Sequence, residues 1–548
     1  MLGRLLSVML LFVSVAVAQM PQPALPQTYI DTTFQLPEGG KTWAAHNTTE
    51  LKSALKDALP GDVIVLDAGV VYTGNFNVPA KANPSDKWLY IISAPFQSQI
   101  GASPRPGMRV NPANDVKYMA KLVTPNTVSV LTLGPGVNYL RLVGIEMYST
   151  STHGADPSHK PWPVNGWSGN LIIAQTVSHI TVDRCYLHGS DKVDLHEGFI
   201  AYEGASYIAV VDSVISDVHI GGMDSQAFAA YGSEGPFKLV NNLLSASTED
   251  VMFGGAGAGL PAPYSGYVPS DIEIRNNHFY KPLSWIPWTT GTWPQKWVVK
   301  NHLECKSCSR LLVDGNTFEN IWTAAQGGTA IVLTVRTSQS GDNAVDDDIT
   351  ITNNVLKNVV SGISTLSHDY ACGTNQFPNC KNQGESLRVK IYNNLILFGN
   401  PAQLNGGRNF GIEAAVDLTD WVFQHNTLVP APGSTPWASV YFNGRVGVKP
   451  PWQSTTHNLW ILDNVMSRQP SGDGGRPISE YMGDADPLGA RFYGNVMYAP
   501  QGETVKTWWP VHNYATTVPP TLNGTHQLET PLWSDTSDGA IAGYHPVR

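Results

Sequence analysis

The 548-residue sequence predicts an all-β solenoid, a parallel β-helix, on three observations. A fixed motif, x-h-x-h-x-x-N-x-h with h apolar, recurs from about residue 138 onward. Its copies lie roughly 30 to 40 residues apart with irregular insertions, the mark of stacked repeats with loops on their flanks. Further short apolar strands fall between the copies, which makes three strands per repeat.

The motif appears as "YIAVVDSVI", "FKLVNNLL", "DIEIRNNHF", "RLLVDGNTF", "DITITNNVL", "RVKIYNNLI", "WVFQHNTL", "LWILDNVM" and "RFYGNVM". Its anchors are Ser213, Asn242, Asn277, Asn316, Asn354, Asn394, Asn426, Asn464 and Asn495. Asn suits a left-handed bend between two strands, and stacked Asn amides can bond along a column. The strands between include "GFIAYEG", "QAFAAYG", "EDVMFGG", "HLECKS", "TAIVLTVRT", "FGIEAAVDL" and "SVYFNGR". A β-sandwich would show turn signals without a fixed Asn register, and a propeller is the alternative repeat architecture.

Taken from the N-terminus, residues 1–18 read as a secretory signal: Arg4, the apolar run "LLSVMLLFVSV", and Ala16-Val17-Ala18 as an A-x-A cleavage site. The expected location is therefore outside the cytoplasm, secreted or periplasmic. No later stretch is long enough to span a bilayer, so no membrane association is expected after cleavage. Residues 19–37 are Pro-rich and read as a linker. Residues 38–548 then form one β-helix domain with loop insertions. Asn47 or Thr48 begins a short helix with Leu51, Leu55 and Leu59 on one face, ended by "PGD" and suited to cover the end of a hydrophobic column.

Thirty-four basic against 44 acidic residues give a net charge of −10, which argues against nucleic acid as a partner. A monomer is expected. Five cysteines are too few for a disulfide framework in a chain of this length. Cys372 and Cys380 bracket a short loop that a disulfide would staple. Cys305 and Cys308 have C-x-x-C spacing but lack a second pair for zinc, so Cys305, like Cys185, reads as a buried thiol.

The capping helix, "PGD" and the N-x-apolar coils resemble the pectate-lyase-like superfamily of right-handed parallel β-helices, over about residues 40 to 500. That resemblance implies a binding groove on the outside of one parallel sheet. Alternation within "KWVVKNHLECKS" sends Lys300, His302, Glu304 and Lys306 to the outer face and Leu303 and Cys305 to the core. Aligned strands add Thr334 and Arg336, Glu413 and Asp417, and Tyr441, Asn443 and Arg445. Glu203, Asp224 and Asp250 or Glu249 join upstream, and His368 and Asp369 downstream. The insertion carrying Trp285, Trp288, Trp293 and Trp297 would form a wall suited to sugar rings, with Trp293 and Trp297 as substrate contacts.

Two chemistries fit such a groove. β-Elimination of a uronic-acid polysaccharide needs a base for the C5 proton and a cation for the carboxylate. A lysine whose pKa is lowered by neighbouring cations can be that base, and Lys300, Lys306 and Arg336 can supply both roles. Glycoside hydrolysis or epimerisation would use carboxylates, with Glu304, Asp224 and Asp250 as the pool. A non-catalytic module that binds acidic glycans is a third class. More locally, "ECKS…GNTFEN…VLTVR" is similar to the chondroitinase B and alginate lyase family. That similarity implies Lys306 as base, Arg336 as acid or charge stabiliser, and calcium as a cofactor. The positions of the family's acidic calcium ligands hold Val299 and Asn301 here. The polygalacturonase motifs are absent. The expected activity is a polysaccharide lyase acting on an acidic polysaccharide, with hydrolysis as the alternative.

Overall fold

A computed structural model describes residues 20–546 apart from short gaps and the longer segments 152–168, 287–296, 444–456, 473–490, 499–512 and 527–541. Its strands form three parallel sheets of 14, 12 and 14 strands among the described residues, and apart from the first and last pairs each strand pairs with the one three strands further along the chain. This is a right-handed parallel β-helix, the hand that parallel crossovers adopt almost without exception.

Each coil contributes one strand to each sheet. One coil runs from Asn301–Cys305 in the 12-stranded sheet to Cys308–Asp314 and Thr317–Ile321 in the other two. Inward residues stack coil upon coil into one apolar column, as Ile272/Leu311/Ile349/Val389/Trp421 do. The helix Thr48–Asp57 is capped by Asn47, whose side chain accepts from the Glu50 N–H, and it buries Leu51, Ala54 and Leu55 in this core. Leu59 lies past its end and is exposed.

The anchor asparagines form a buried ladder. The Asn277 N–H and Nδ2 both donate to Asn316 Oδ1, at 2.9 and 3.0 Å, and Nδ2 also donates to Leu239 O. The same pattern links Asn242 through Asn495 and reaches Asn513. At its N-terminal end Ser213 and Cys185 take the anchor place. The left-handed bend is not made by the anchor itself. It falls on the residue before it, at Asn241, Asn276, Gly315, Asn353, Asn393, His425, Asp463 and Gly494, while the anchor amides serve as the rungs.

The Pro-rich segment expected as a linker runs along the outer face of the 14-stranded sheet that begins at Thr42–Ala45. Ala24 N–H donates to Asp348, Gln27 N–H to Asp271, and Arg141 donates to Thr32 O and Thr33 O. Asp271 and Asp348 are also gripped by Arg310 and Arg388. The Ala24 and Gln27 contacts thus reuse carboxylates already fixed by an arginine.

Cys305 is not a free thiol: it is bonded to Cys308. Cys185 is free and buried. Cys372 is disulfide-bonded, while Cys380 lies outside the described residues. No helix among the described residues is long and apolar enough to cross a membrane.

Replacing one ladder residue tests its weight. Asn354→Ala leaves the Asn316 N–H and Nδ2 without their acceptor and removes the donors to Val313 O and Asn394 Oδ1. Buried unpaired groups of this kind cost about 3 kcal/mol together. Chemical denaturation should show a loss of that order.

Candidate active-site groove

The outer face of the 12-stranded sheet carries the candidate site. Its strands do not alternate evenly. In the Asn301–Cys305 strand both His302 and Leu303 face inward, so the outward residues are Asn301, Glu304 and, just past the strand, Lys306. The neighbouring coils show the same bend. A Cβ at Gly198 would lie 2.4 Å from Ile215 of the core, and one at Gly411 would lie 1.8 Å from Leu428. The inward position is small in most other coils, as at Ala227, Ala330 and Ser439, and apolar at Leu171.

Two residues expected in the groove are therefore inside the column. His302 and Asp250 are fully buried. His302 Nδ1 lies 2.5 Å from Asp250 Oδ2, and its ring packs near Phe279 and Phe318. Burial holds its imidazole below the usual pKa, against the pull of Asp250. Lys281 completes a buried network, donating to Asp250 Oδ1 and to the carbonyls of Ala246 and Thr248.

Outside the column the structure brings together Asp224, Glu249, Lys300, Asn301, Glu304, Lys306 and Arg336. Glu249 and Asn301 pair in register on adjacent strands, as do Met252 and Glu304. Lys300 Nζ lies 2.5 Å from Asp224 and 3.4 Å from Glu249. Burial works against its charge, but Glu249 and Asp224 outweigh it and raise its pKa. Lys300 is thus a fixed cation, not the lowered-pKa base that its cationic neighbours in sequence suggested.

Lys306 Nζ contacts Met252 Sδ at 3.4 Å and Glu304 at 3.7 Å. Its turn needs Gly254 below it, at φ 73°, because a Cβ there would lie 2.7 Å from Ser307 N. Arg336 stands one coil on, its N–H donating to Lys306 O. Its guanidinium is 3.7 Å from the buried Asp369, which also accepts from Thr337 and Ser338. Glu249 is fully buried, and its pKa is pushed up to about 8, first by burial and then by Glu304, with Lys300 opposing. Gln226 Nε2 donates to it at 2.6 Å.

Of the other residues expected here, Trp297 is buried and stacks on His219 at 3.8 Å, so it packs the insertion down and offers no open face to a sugar. His368 is half-buried beside Asp369. Trp288, Trp293, Asp417 and Arg445 lie outside the described residues. Upstream, Tyr231 donates to Glu197 at 2.8 Å, and His196 Nδ1 lies 2.7 Å from the same carboxylate. The alternation argument missed Glu197, Gln226 and Tyr231. Their polar side chains in otherwise apolar strands were the available signal.

Calcium does not fit in the way the local resemblance implies. Val299 is in the core, Asn301 Nδ2 bonds Glu304 and Gln326, and a cation, the Lys300 ammonium, already lies 3.4 Å from Glu249.

No family model matches the chain, and no curated protein matches it in sequence. Solved structures with a similar course include the PL6-family alginate lyase AlyGC, at 12% identity and a TM-score of 0.41 over 92% of this chain and 56% of that one. A PL6-family polysaccharide lyase from Pseudopedobacter saltans gives 12% identity and a TM-score of 0.40 over 86% and 95%. A polygalacturonase from Erwinia carotovora ssp. carotovora gives 9% identity and 0.38 over 78% and 94%. None reaches 0.5, and the fold rests on the strand pairings themselves.

The raised pKa of Glu249 has a stability consequence. Its folded value of about 8 lies above its ordinary 4.5, so the folded state holds a proton that the unfolded chain releases. That contribution is present at low pH and is lost as pH rises from the ordinary value through about 8. Glu249→Gln should be less sensitive to pH across this window, as read from unfolding midpoints of both proteins.

Proposed function

We propose that this protein is a secreted carbohydrate-active enzyme, a polysaccharide lyase that cleaves an acidic polysaccharide by β-elimination in the groove of the 12-stranded sheet. One observation carries the reading: Lys306 and Arg336 sit on adjacent coils, about 4.8 Å apart, above a floor already holding Glu249, Glu304 and Lys300. In this reading the Arg336 guanidinium meets the uronate carboxylate and withdraws charge from it. The C5 proton becomes more acidic. Lys306, in its unprotonated form, takes that proton, the electron pair forms the C4–C5 double bond, and the glycosidic oxygen leaves from C4 and picks up a proton from water to become a free hydroxyl. Glu304 orients the lysine, and Lys300 balances the floor's carboxylates.

Glycoside hydrolysis is the second reading, favoured by a single observation. Glu249 keeps a proton to about pH 8 beside Glu304, and a carboxylic acid next to a carboxylate is the pair that hydrolysis needs.

The two separate by product. Polygalacturonate, alginate and glucuronan, followed at about 235 nm and by reducing-end release, distinguish an unsaturated product from a hydrolysed one. Lys306→Ala should reduce kcat by at least about a thousandfold with KM little changed, because a base acts in the transition state. Arg336→Ala should harm both constants. Glu304→Gln should cost about tenfold if it orients Lys306, and several orders of magnitude if it is a hydrolytic acid or base. Reducing ends without absorbance would select hydrolysis.

A further inference from the structure

The Lys281–Asp250–His302 network is an anomaly in this fold. At the same inward position other coils carry Leu171, Gly198, Ala227, Ala330, Gly362, Gly411 and Ser439, none of them ionisable. The bend therefore needs no large or charged side chain. Among the described residues, only the two adjacent coils whose outer faces hold Glu249, Glu304 and Lys306 carry ionisable residues there. All three members of the network are fully buried. Burying ionisable groups is expensive, and apolar residues of similar volume generally serve stability as well or better. Local rules are broken where function requires it.

Its connections show what it holds. Lys281 begins the long insertion, and Lys300 and His302 end it. Lys281 Nζ reaches the carbonyls of Ala246 and Thr248, which precede Glu249. Asp250 Oδ1 accepts from the Ala246 N–H at 2.7 Å. Lys281 O accepts from Asn320, and Lys281 N–H donates to Glu319 O, which fixes the lysine to the next coil. His302 then ties Asp250 to the strand that leads into Lys306. Both ends of the insertion and both strands of the groove floor meet in these three side chains.

We propose that Lys281, Asp250 and His302 are positioning residues: from inside the column they lock the two coils whose outer faces present Glu249, Asn301, Glu304 and Lys306 at the spacing the reaction needs. This rests on the lyase reading of the groove. None of the three touches substrate. They act through the backbone of the strands they join.

The test uses the full chain carrying Lys281→Met, Asp250→Ala and His302→Ala together, which gives these coils the uncharged interior of the others. Turnover of polygalacturonate, alginate and glucuronan is measured at about 235 nm, with unfolding midpoints in parallel. The expected result is a folded protein with a lowered midpoint, because the two alanines leave cavities and the Ala246 N–H loses its acceptor, with kcat reduced by about a hundredfold and KM within about threefold. A folded triple variant with wild-type kcat would overturn the proposal. Should the triple variant not fold, His302→Gln, which keeps a donor toward Asp250, is compared with His302→Ala. A kcat at least about tenfold higher in the glutamine variant supports the positioning role, and equal values overturn it. Lys306→Ala is the control. If it retains turnover, the reading of the groove fails. If it is inactive while the triple variant is fully active, only the positioning role fails.

Discussion

The asparagine ladder is the constraint on which the rest of the molecule depends. Each coil turns a corner where its backbone N–H would point at the coil above with no strand partner. The anchor side chain of the next coil accepts that N–H, and its own amide returns a bond to a carbonyl one coil below. A buried amide with every donor and acceptor satisfied is strongly favoured over any shifted register, because a slip would orphan several groups at once. The ladder therefore fixes the vertical register of the coils. Once the register is fixed, the outward side chains of the 12-stranded sheet must fall into columns about 4.8 Å apart, and a site can be assembled from residues far apart in sequence.

The groove is electrostatically compact. Lys300 neutralises Asp224 and lies beside Glu249, and Glu304 stands close to Lys306. With a proton on Glu249 at neutral pH, the floor is less negative than its composition suggests. That matters for a polyanionic substrate, since each unneutralised carboxylate would repel a uronate. Arg336 has one side engaged by the buried Asp369, which aims its guanidinium without burying it.

Much of the fold was legible in the sequence because the ladder leaves a fixed letter at a fixed place in every coil. Eight of the anchors read from sequence are asparagines, and each makes the ladder bonds expected of it. Lys306, Arg336 and Glu304 were legible by alternation and by their distance to the next anchor. His302 and Asp250 were not, because alternation fails where two successive residues turn inward, and that bend leaves a signature only in other coils, as glycine or alanine. Glu249 lost to Asp250 for the same reason. Lys281 gave no signal, since a lysine beside a proline at a loop entrance reads as solvated. The strap of residues 20–37 was missed because its bonds are made by backbone groups and carry no side-chain pattern. Cys305 was read correctly as inward, but the pairing with Cys308 depends on a corner geometry that spacing alone does not reveal.

A crystal structure of the Lys306→Ala protein soaked with an acidic oligosaccharide, from the polymer that the wild-type protein turns over or binds, tests the account most directly. The account predicts a chain of sugars crossing the 12-stranded sheet between the strands Glu249–Phe253 and Thr329–Thr334. One uronate carboxylate should lie within hydrogen-bond distance of Arg336, with its C5 above the position of the missing amine. Sugar bound on another face, or in the groove with its carboxylates turned away from Arg336, would contradict it.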